Sequence, residues 1–441
     1  MKPLVLVTAP VQTRSGYGNH SRDIVRALLD LDKYEVKVNS VRWGNTPMNA
    51  LEDGNPIHDR IKECILPQPS LPRQPELHMH VVVPNEFQQL GKKNIGFTAG
   101  IETTVPPPQW VEGANRMDLN IFTSEFSKLG FTSAEFESQN QQGQKGPLLK
   151  LSKPAEVLFE GVDTDVYKVT KEFDDEIKET FNSIDSNWNY LFTGHWLAGN
   201  MGEDRKDIGM MVKTFCESFK NQKNQPALIL KTSGATPSIL DRQEVLSKID
   251  EIKRQIVGDL PNIYVLHGDL RDEEMNQLYN HPKVKAHVTF THGEGFGRPL
   301  LEATLSEKPV IASNWSGQVD FLNQDSVLLP GNLIDVPKNS FPKEFLVDGA
   351  KWFQVNYAYA SNVLKEVHKN YVKYVTKAKK QSIVNKSKFS LDQMTKALDG
   401  ILSKHLPKFE EQPKKVDIKL PTLKKVSKPK KVELPKLKKV N

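Results

Sequence analysis

The stretch THGEGFGRPLLEATLSEKPVIASNWSG, residues 291–317, sets a glycine-rich loop between an apolar run, KAHVTFT (285–291), and a helix-forming segment. Gly293, Gly295 and Gly297 let the backbone turn sharply and let a ligand approach its amides. Pro299 suits a first helical position, where its missing N–H is not needed. Two carboxylates frame the loop, Glu294 before it and Glu302 inside the helix, with seven residues between them. A helix start attracts phosphate, and the carboxyl end of a parallel strand is where open α/β sheets take ligands. An acid in the first turn also steadies a helix dipole by about 0.3–1 kcal/mol with no ligand at all. Spacing alone leaves both readings open.

Outward from this stretch, short β-type runs alternate with helical patterns. In the first half strands are expected at 3–9, 34–41, 78–83, 93–99, 119–124 and 155–159, with helices at 17–30, 109–115 and 125–131. In the second half strands are expected at 188–194, 226–232, 262–268, 285–291 and 309–313. Helices fill the gaps at 207–219, 239–257, 272–280, 299–306 and 316–322. Nearly continuous apolar strands alternating with helices imply parallel sheets covered on both faces. The expected fold is α/β, with two Rossmann-like domains facing across a cleft. The boundaries read as 1–162 and 163–345, with EGVDTDVYK (160–168) as the hinge. Residues 346–408 read as mostly helical and packing back across the domains, and 409–441 as a disordered basic tail.

The 441 residues exceed one ordinary core. No apolar run approaches the ~20 residues of a membrane helix, and the start, MKPLVLVTAP, reads as a strand and not a signal peptide. Cys64 and Cys216 support neither a disulfide framework nor a zinc site, so a cytoplasmic location is expected. Charge is unevenly placed. Residues 413–441 carry eleven Lys against two acids, a charge of +9 that leaves −3 on the rest of a +6 chain. That segment holds an imperfect repeat, PKKVDIKLPTLKKV then PKKVELPKLKKV, without aromatics to build a core. Its lysines would attract nucleic acid or an anionic surface, while the interleaved Leu and Val suit docking to a protein.

EGFGRPLLEATLSEKPVIAS resembles the E-x7-E signature of retaining, GT-B-fold glycosyltransferases of family 4, with Glu294 and Glu302 as its two glutamates. The resemblance extends over most of residues 1–370. RSGYGNHSRDIVRALL (14–29) is similar to the family's glycine-rich loop and first helix, with Gly16, Gly18 and His20 in place. TSEF (123–126) resembles a short family motif, EVLFEGVDTDVYK the interdomain linker, and EDRKDIGMMVKTF the segment whose basic residues hold the donor diphosphate.

The resemblance implies roles. Glu302 would bind the donor ribose, and Glu294 would sit by the donor sugar and its reacting carbon. The amides of Gly295, Phe296 and Gly297, with Arg298, Gly16 and Gly18, would lie against the donor. Arg205 and Lys206 would neutralise the leaving diphosphate, a role with its own physical reason: charge develops on the leaving oxygen, and a fixed cation there lowers the barrier. An exposed Arg-Lys pair at a helix start is the plainer alternative.

There are departures. TGHW puts His195 where the family has an Arg after the first strand of the second domain, so either Arg205 substitutes or His195 binds the donor in part, and FTAGIETT puts Glu102 where many relatives have a donor-contacting His. Glu102 and His20 are candidates for the acceptor side, or else structural residues. DTD (163–165) resembles a metal-binding D-x-D but falls in the linker and reads as a capped turn, and no other cluster has metal-ligand spacing. NWS (314–316) fits a glycosylation sequon that a cytoplasmic protein would leave unmodified.

The implied activity is metal-independent transfer of a sugar, with retention, from a UDP- or GDP-linked donor, with no other cofactor. The acceptor stays open between a glycan, a lipid-linked sugar and DNA. The style of the chain also resembles bacteriophage glycosyltransferases, in which setting modified DNA bases become acceptors and the basic tail holds DNA. An inactive GT-B-fold docking protein is the alternative.

Overall fold

The computed structural model describes residues 2–137, 146–197, 199–234 and 237–407. The Lys/Pro-rich tail and most of the polar loop read at 137–147 lie outside the described residues.

In the first domain the strands are β1 (Leu4–Ala9), β2 (Glu35–Ser40), β3 (Leu77–Val81), β4 (Lys93–Thr98), β5 (Leu119–Phe122), the short pair β6 (Glu135–Phe136) and β7 (Leu149–Lys150), and β8 (Ala155–Val157). Its helices are α1 (Gly16–Leu31), α2 (Pro56–Cys64), α3 (Pro108–Arg116) and α4 (Glu125–Thr132). The order β2-β1-β3-β4-β5-β8 forms a wholly parallel sheet. β1 is buried at every position, as a strand covered on both faces must be. α1 starts where Ser15 caps it, its side chain accepting the Gly18 N–H at 3.0 Å.

The second domain contains α5 (Asp175–Asn182), β9 (Asn189–Thr193), α6 (Ile208–Phe219), β10 (Ala227–Lys231), α7 (Ile239–Arg254), β11 (Ile263–Leu266), α8 (Asp272–Asn280), β12 (Val284–Val288), α9 (Arg298–Thr304), β13 (Val310–Ser313) and β14 (Val327–Leu329). Its sheet, in the order β11-β10-β9-β12-β13-β14, is again wholly parallel. Alternation along a strand sorts side chains between its faces. Tyr190 and Phe192 enter one core with α6, whereas Leu191 between them enters the other with Leu300 and Leu301 of α9.

Beyond these lie β15 (Gly331–Asp335), β16 (Lys351–Val355), α10 (Tyr357–Lys369), α11 (Tyr371–Lys388) and α12 (Leu391–His405). Here the sequence reading needs correction. WFQV, read as part of a helical stretch, is an antiparallel strand against β15, because Trp352 and Phe353 face two different cores. The helix expected at 316–322 is only a 3-10 turn, Gly317–Asp320. The hairpin also reaches the first domain: Thr104 N–H donates to Lys351 O at 2.8 Å, and Lys351 N–H to Thr104 Oγ1 at 3.0 Å.

α10 buries Ala360, Leu364 and Val367 in the second domain. α12 buries Leu391, Met394, Leu398 and Leu402 in the first, beside β1 and α1. The chain therefore crosses twice between the domains. The crossings touch, with Val162 N–H donating to Phe389 O and Leu391 N–H to Val162 O, both at 2.9 Å. The DTD segment is a capped turn there: Asp163 accepts the Asp165 N–H at 2.9 Å and pairs with Arg26.

Candidate active site

The loop after β12 lies at the carboxyl edge of the second sheet and faces the first domain. Its start is fixed from two sides. His292 Nδ1 lies 2.7 Å from Phe353 O, and its ring stacks on Trp352 with centroids 4.1 Å apart. Its backbone N–H donates to Arg205 O at 2.8 Å, so the segment before α6 is tied to this loop. Further on, Glu294 N–H donates to Ser316 Oγ at 2.9 Å, and Gly317 N–H to Glu294 O at 2.9 Å. Ser316, read as the sequon's last residue and the start of a helix, is a buried pin of the loop.

Glu294, which is buried, and Arg205 and Lys206, which are partly buried, form one cluster. Lys206 Nζ pairs with Glu294 Oε1, and Arg205 Nη1 lies 3.3 Å from Glu294 Oε2. Arg205 Nη1 also donates to Gly293 O at 2.8 Å and lies 3.3 Å from Glu102 Oε1 of the first domain. Burial alone would raise the Glu294 carboxyl; Lys206 and Arg205 outweigh it and hold the group below its usual range. Burial pulls the Lys206 ammonium down in spite of Glu294.

A second cluster surrounds Glu302. Arg298 Nε donates to Glu302 Oε1 at 2.9 Å, while the same guanidinium pairs with Asp23 of α1. Tyr279 Oη lies 3.4 Å from Glu302 Oε2. Burial pushes Glu302 up to about 7. His20, one turn before Asp23, is 3% exposed and set against Phe97, and burial with Arg298 nearby pushes its imidazole down to about 3. It stands as a neutral, buried ring.

The domains meet tightly at Gly295. Its carbonyl accepts hydrogen bonds from Ser124 Oγ at 2.6 Å, Thr123 Oγ1 at 3.2 Å and Ser127 Oγ at 3.3 Å. A Cβ on Gly295 would meet Ala99 O at 2.7 Å, so glycine is needed there for domain contact. Phe126 packs edge-on to Trp315 with centroids 4.7 Å apart. The TSEF motif thus clasps the loop.

Several expected residues are placed differently from each other. The Phe296 side chain is core, against Phe321 at 5.0 Å, so only its backbone can serve a ligand. Gly297, with φ of +95°, precedes α9, whose first residue is Arg298 and not Pro299. A Cβ on Gly18 would lie 2.1 Å from Thr13 O, so its smallness serves the turn; Gly16 is exposed with open space beside it. His195 is exposed after β9, and its hydrogen bond goes to Ser233 Oγ at 3.3 Å. A cavity of ≈ 310 Å³ lies at the same sheet edge, lined by Lys231, Arg242 and the turn His267–Leu270. Arg14 of the first domain reaches Leu270 O there at 3.4 Å.

No protein-family model matches the chain, and no curated protein does. Solved structures do resemble it. Alr3699/HepE of Anabaena, in complex with UDP-glucose, shares 14% identity at a TM-score of 0.56, over 91% of this chain and 100% of that one. The sucrose-phosphate synthase of Thermosynechococcus elongatus shares 13% at 0.61, over 92% and 99%. The α,α-trehalose 6-phosphate synthase of Burkholderia multivorans shares 11% at 0.58, over 92% and 99%. The architecture is GT-B. At these identities the likeness is one of fold.

The sequence reading missed Asp23 and Glu160. Asp23 lies one turn after His20 on the buried face of α1, a position that demands a partner. Glu160 lies in the linker, where a single acid carries no pattern. Among the described residues no group of His, Cys, Asp or Glu is arranged to hold a metal ion, and no helix is long and apolar enough to cross a membrane.

Proposed function

We propose that the chain is a glycosyltransferase that moves a sugar from a nucleoside-diphosphate sugar to an acceptor hydroxyl, with retention at the anomeric carbon and without a metal ion. The observation that carries this reading is the cluster of buried Glu294 with the partly buried Arg205 and Lys206 at the carboxyl edge of the second sheet, facing the first domain. The fold it shares with the UDP-glucose complex of the Anabaena protein supports the donor class.

In this reading the sugar–phosphate bond breaks with its electron pair passing to the phosphate oxygen, the acceptor oxygen bonds the anomeric carbon, and the acceptor's proton passes to the freed phosphate. Arg205 and Lys206 stabilise the charge on the leaving phosphate, and because they are already held in place they need not reorganise as it develops. Glu294 faces the sugar. Glu302 keeps one oxygen on Arg298 and turns the other, whose neighbour Tyr279 stands at 3.4 Å, to the ribose. The cavity beside Gly268–Leu270 takes the base. The amides of Gly295–Gly297 lie along the phosphates. The acceptor enters past Glu102 and His20.

Two cations here face two carboxylates, Glu294 and Glu102. A diphosphate therefore competes with Glu102 for Arg205, and donor binding draws Arg205 off the first domain.

Calorimetric titration with UDP and GDP, with EDTA present, tests the reading. One nucleotide should bind the wild type and bind Glu302→Gln at least tenfold more weakly. Proton NMR of the product should show the donor's anomeric configuration. Failure of every nucleotide to bind the folded wild type would end the glycosyltransferase reading.

A further inference from the structure

Glu160 lies between β8 and the first crossing of the chain at Val162. Gly161 after it is wedged against α12, where a Cβ would lie 2.7 Å from Leu391 Cα, and this fixes the backbone from which Glu160 projects. Glu160 is 6% exposed. Four charged groups act on it electrostatically: Arg298 and Glu302 from α9, Asp23 from α1 and Glu294 from the loop. The Tyr17 hydroxyl of α1 also senses its charge. Arg298 is engaged by Asp23 and Glu302. Among the described residues Glu160 has no hydrogen bond and no ion pair. A nearly buried carboxyl that no protein group engages is available to a ligand.

A carboxyl in this position suits a ligand oxygen. The carboxylates around it bar a second anion unless Glu160 carries a proton. Burial pushes it up to about 8, so at neutral pH it is an O–H donor. Resting on the glycosyltransferase reading above, we propose that Glu160 is a donor-binding residue whose carboxyl group hydrogen-bonds an oxygen of the nucleotide sugar lodged between Glu294 and Glu302. That oxygen belongs to the ribose or to the diphosphate.

The test is the affinity of full-length wild type, Glu160→Gln and Glu160→Ala for UDP and UMP (or the guanosine pair, if GDP binds better), from pH 6.5 to 9, with thermal melts alongside. Glu160→Gln keeps an N–H donor of the same shape and should bind UDP within about threefold of wild type at pH 7. Glu160→Ala should bind about fivefold to tenfold more weakly. Wild-type affinity should fall as pH rises past about 8, where Glu160 loses its proton. That step should be missing from Glu160→Gln, while any change near 7, where Glu302 titrates, should persist. Weakening of both UMP and UDP assigns the ribose; weakening of UDP alone assigns the diphosphate. Wild-type affinity in a folded Glu160→Ala, or the same pH profile in Glu160→Gln, would overturn the proposal. No nucleotide binding by the wild type would overturn the reading beneath it.

Discussion

Arg298 Nε lies 2.9 Å from Glu302 Oε1 while the same guanidinium pairs with Asp23 across the domain boundary. One arginine therefore fixes the carboxylate proposed for the ribose and ties the two Rossmann-like domains together. The side chains of Arg298 and Glu302 are less than one-tenth exposed and that of Asp23 is 12% exposed, so the pairing is nearly dry. Paired charges are tolerable in such a place; unpaired ones are not.

Arg298→Ala leaves Asp23 and Glu302 buried without a cation. The expected loss of stability is about 3–5 kcal/mol, read by urea unfolding. A loss under about 1 kcal/mol would mean that the triad opens to water in solution.

Lys206→Ala removes a fixed cation from the leaving phosphate. Turnover should fall about 10²–10³-fold, with nucleotide affinity falling much less, because the charge it meets develops mainly in the transition state. Equal losses in the two would make Lys206 a binding group alone.

Glu102→Gln removes the anion that competes for Arg205 from the first domain. Diphosphate affinity should rise about threefold to tenfold, with a smaller gain at high salt, since the Glu102 and Arg205 side chains are both about one-fifth exposed. An unchanged or weaker affinity would show that Arg205 does not leave Glu102 to meet the ligand.

Stability should fall as pH rises from about 4.5 toward 8. Glu302 and Glu160 are pushed up to about 7 and about 8 in the folded chain, above their unfolded values. The folded state then holds more protons in this window, so deprotonation favours unfolding. The contribution is complete below the unfolded value and gone above the folded one. Glu160→Gln should flatten the upper part of a melting-temperature profile. Glu294, held low by Lys206 and Arg205, acts in the opposite sense only toward acid pH.

The fold was legible because strands such as β1 and β10 are buried, largely apolar runs and helices begin at clear caps such as Ser15 and Ser390. The hairpin was not, because the aromatic residues of WFQV serve two cores and mimic a helical stripe. At the site, the loop around Glu294 and Glu302 was readable from glycine spacing and framing acids. How the charges pair was not. Arg298 and Arg205, both named from the sequence, are engaged from the other domain by Asp23 and Glu102, a pairing that only the fold brings about. Glu160 gains its character from burial, which a one-residue signal does not encode.

The most direct measurement is release of nucleotide from a panel of UDP-, GDP-, ADP- and TDP-sugars by the wild type and by Glu294→Ala. Slow release from one donor, lost in the variant while its fold and nucleotide binding persist, is the expected result. Release that survives the loss of Glu294, or none from any donor, would contradict the placement of the reacting sugar beside Glu294.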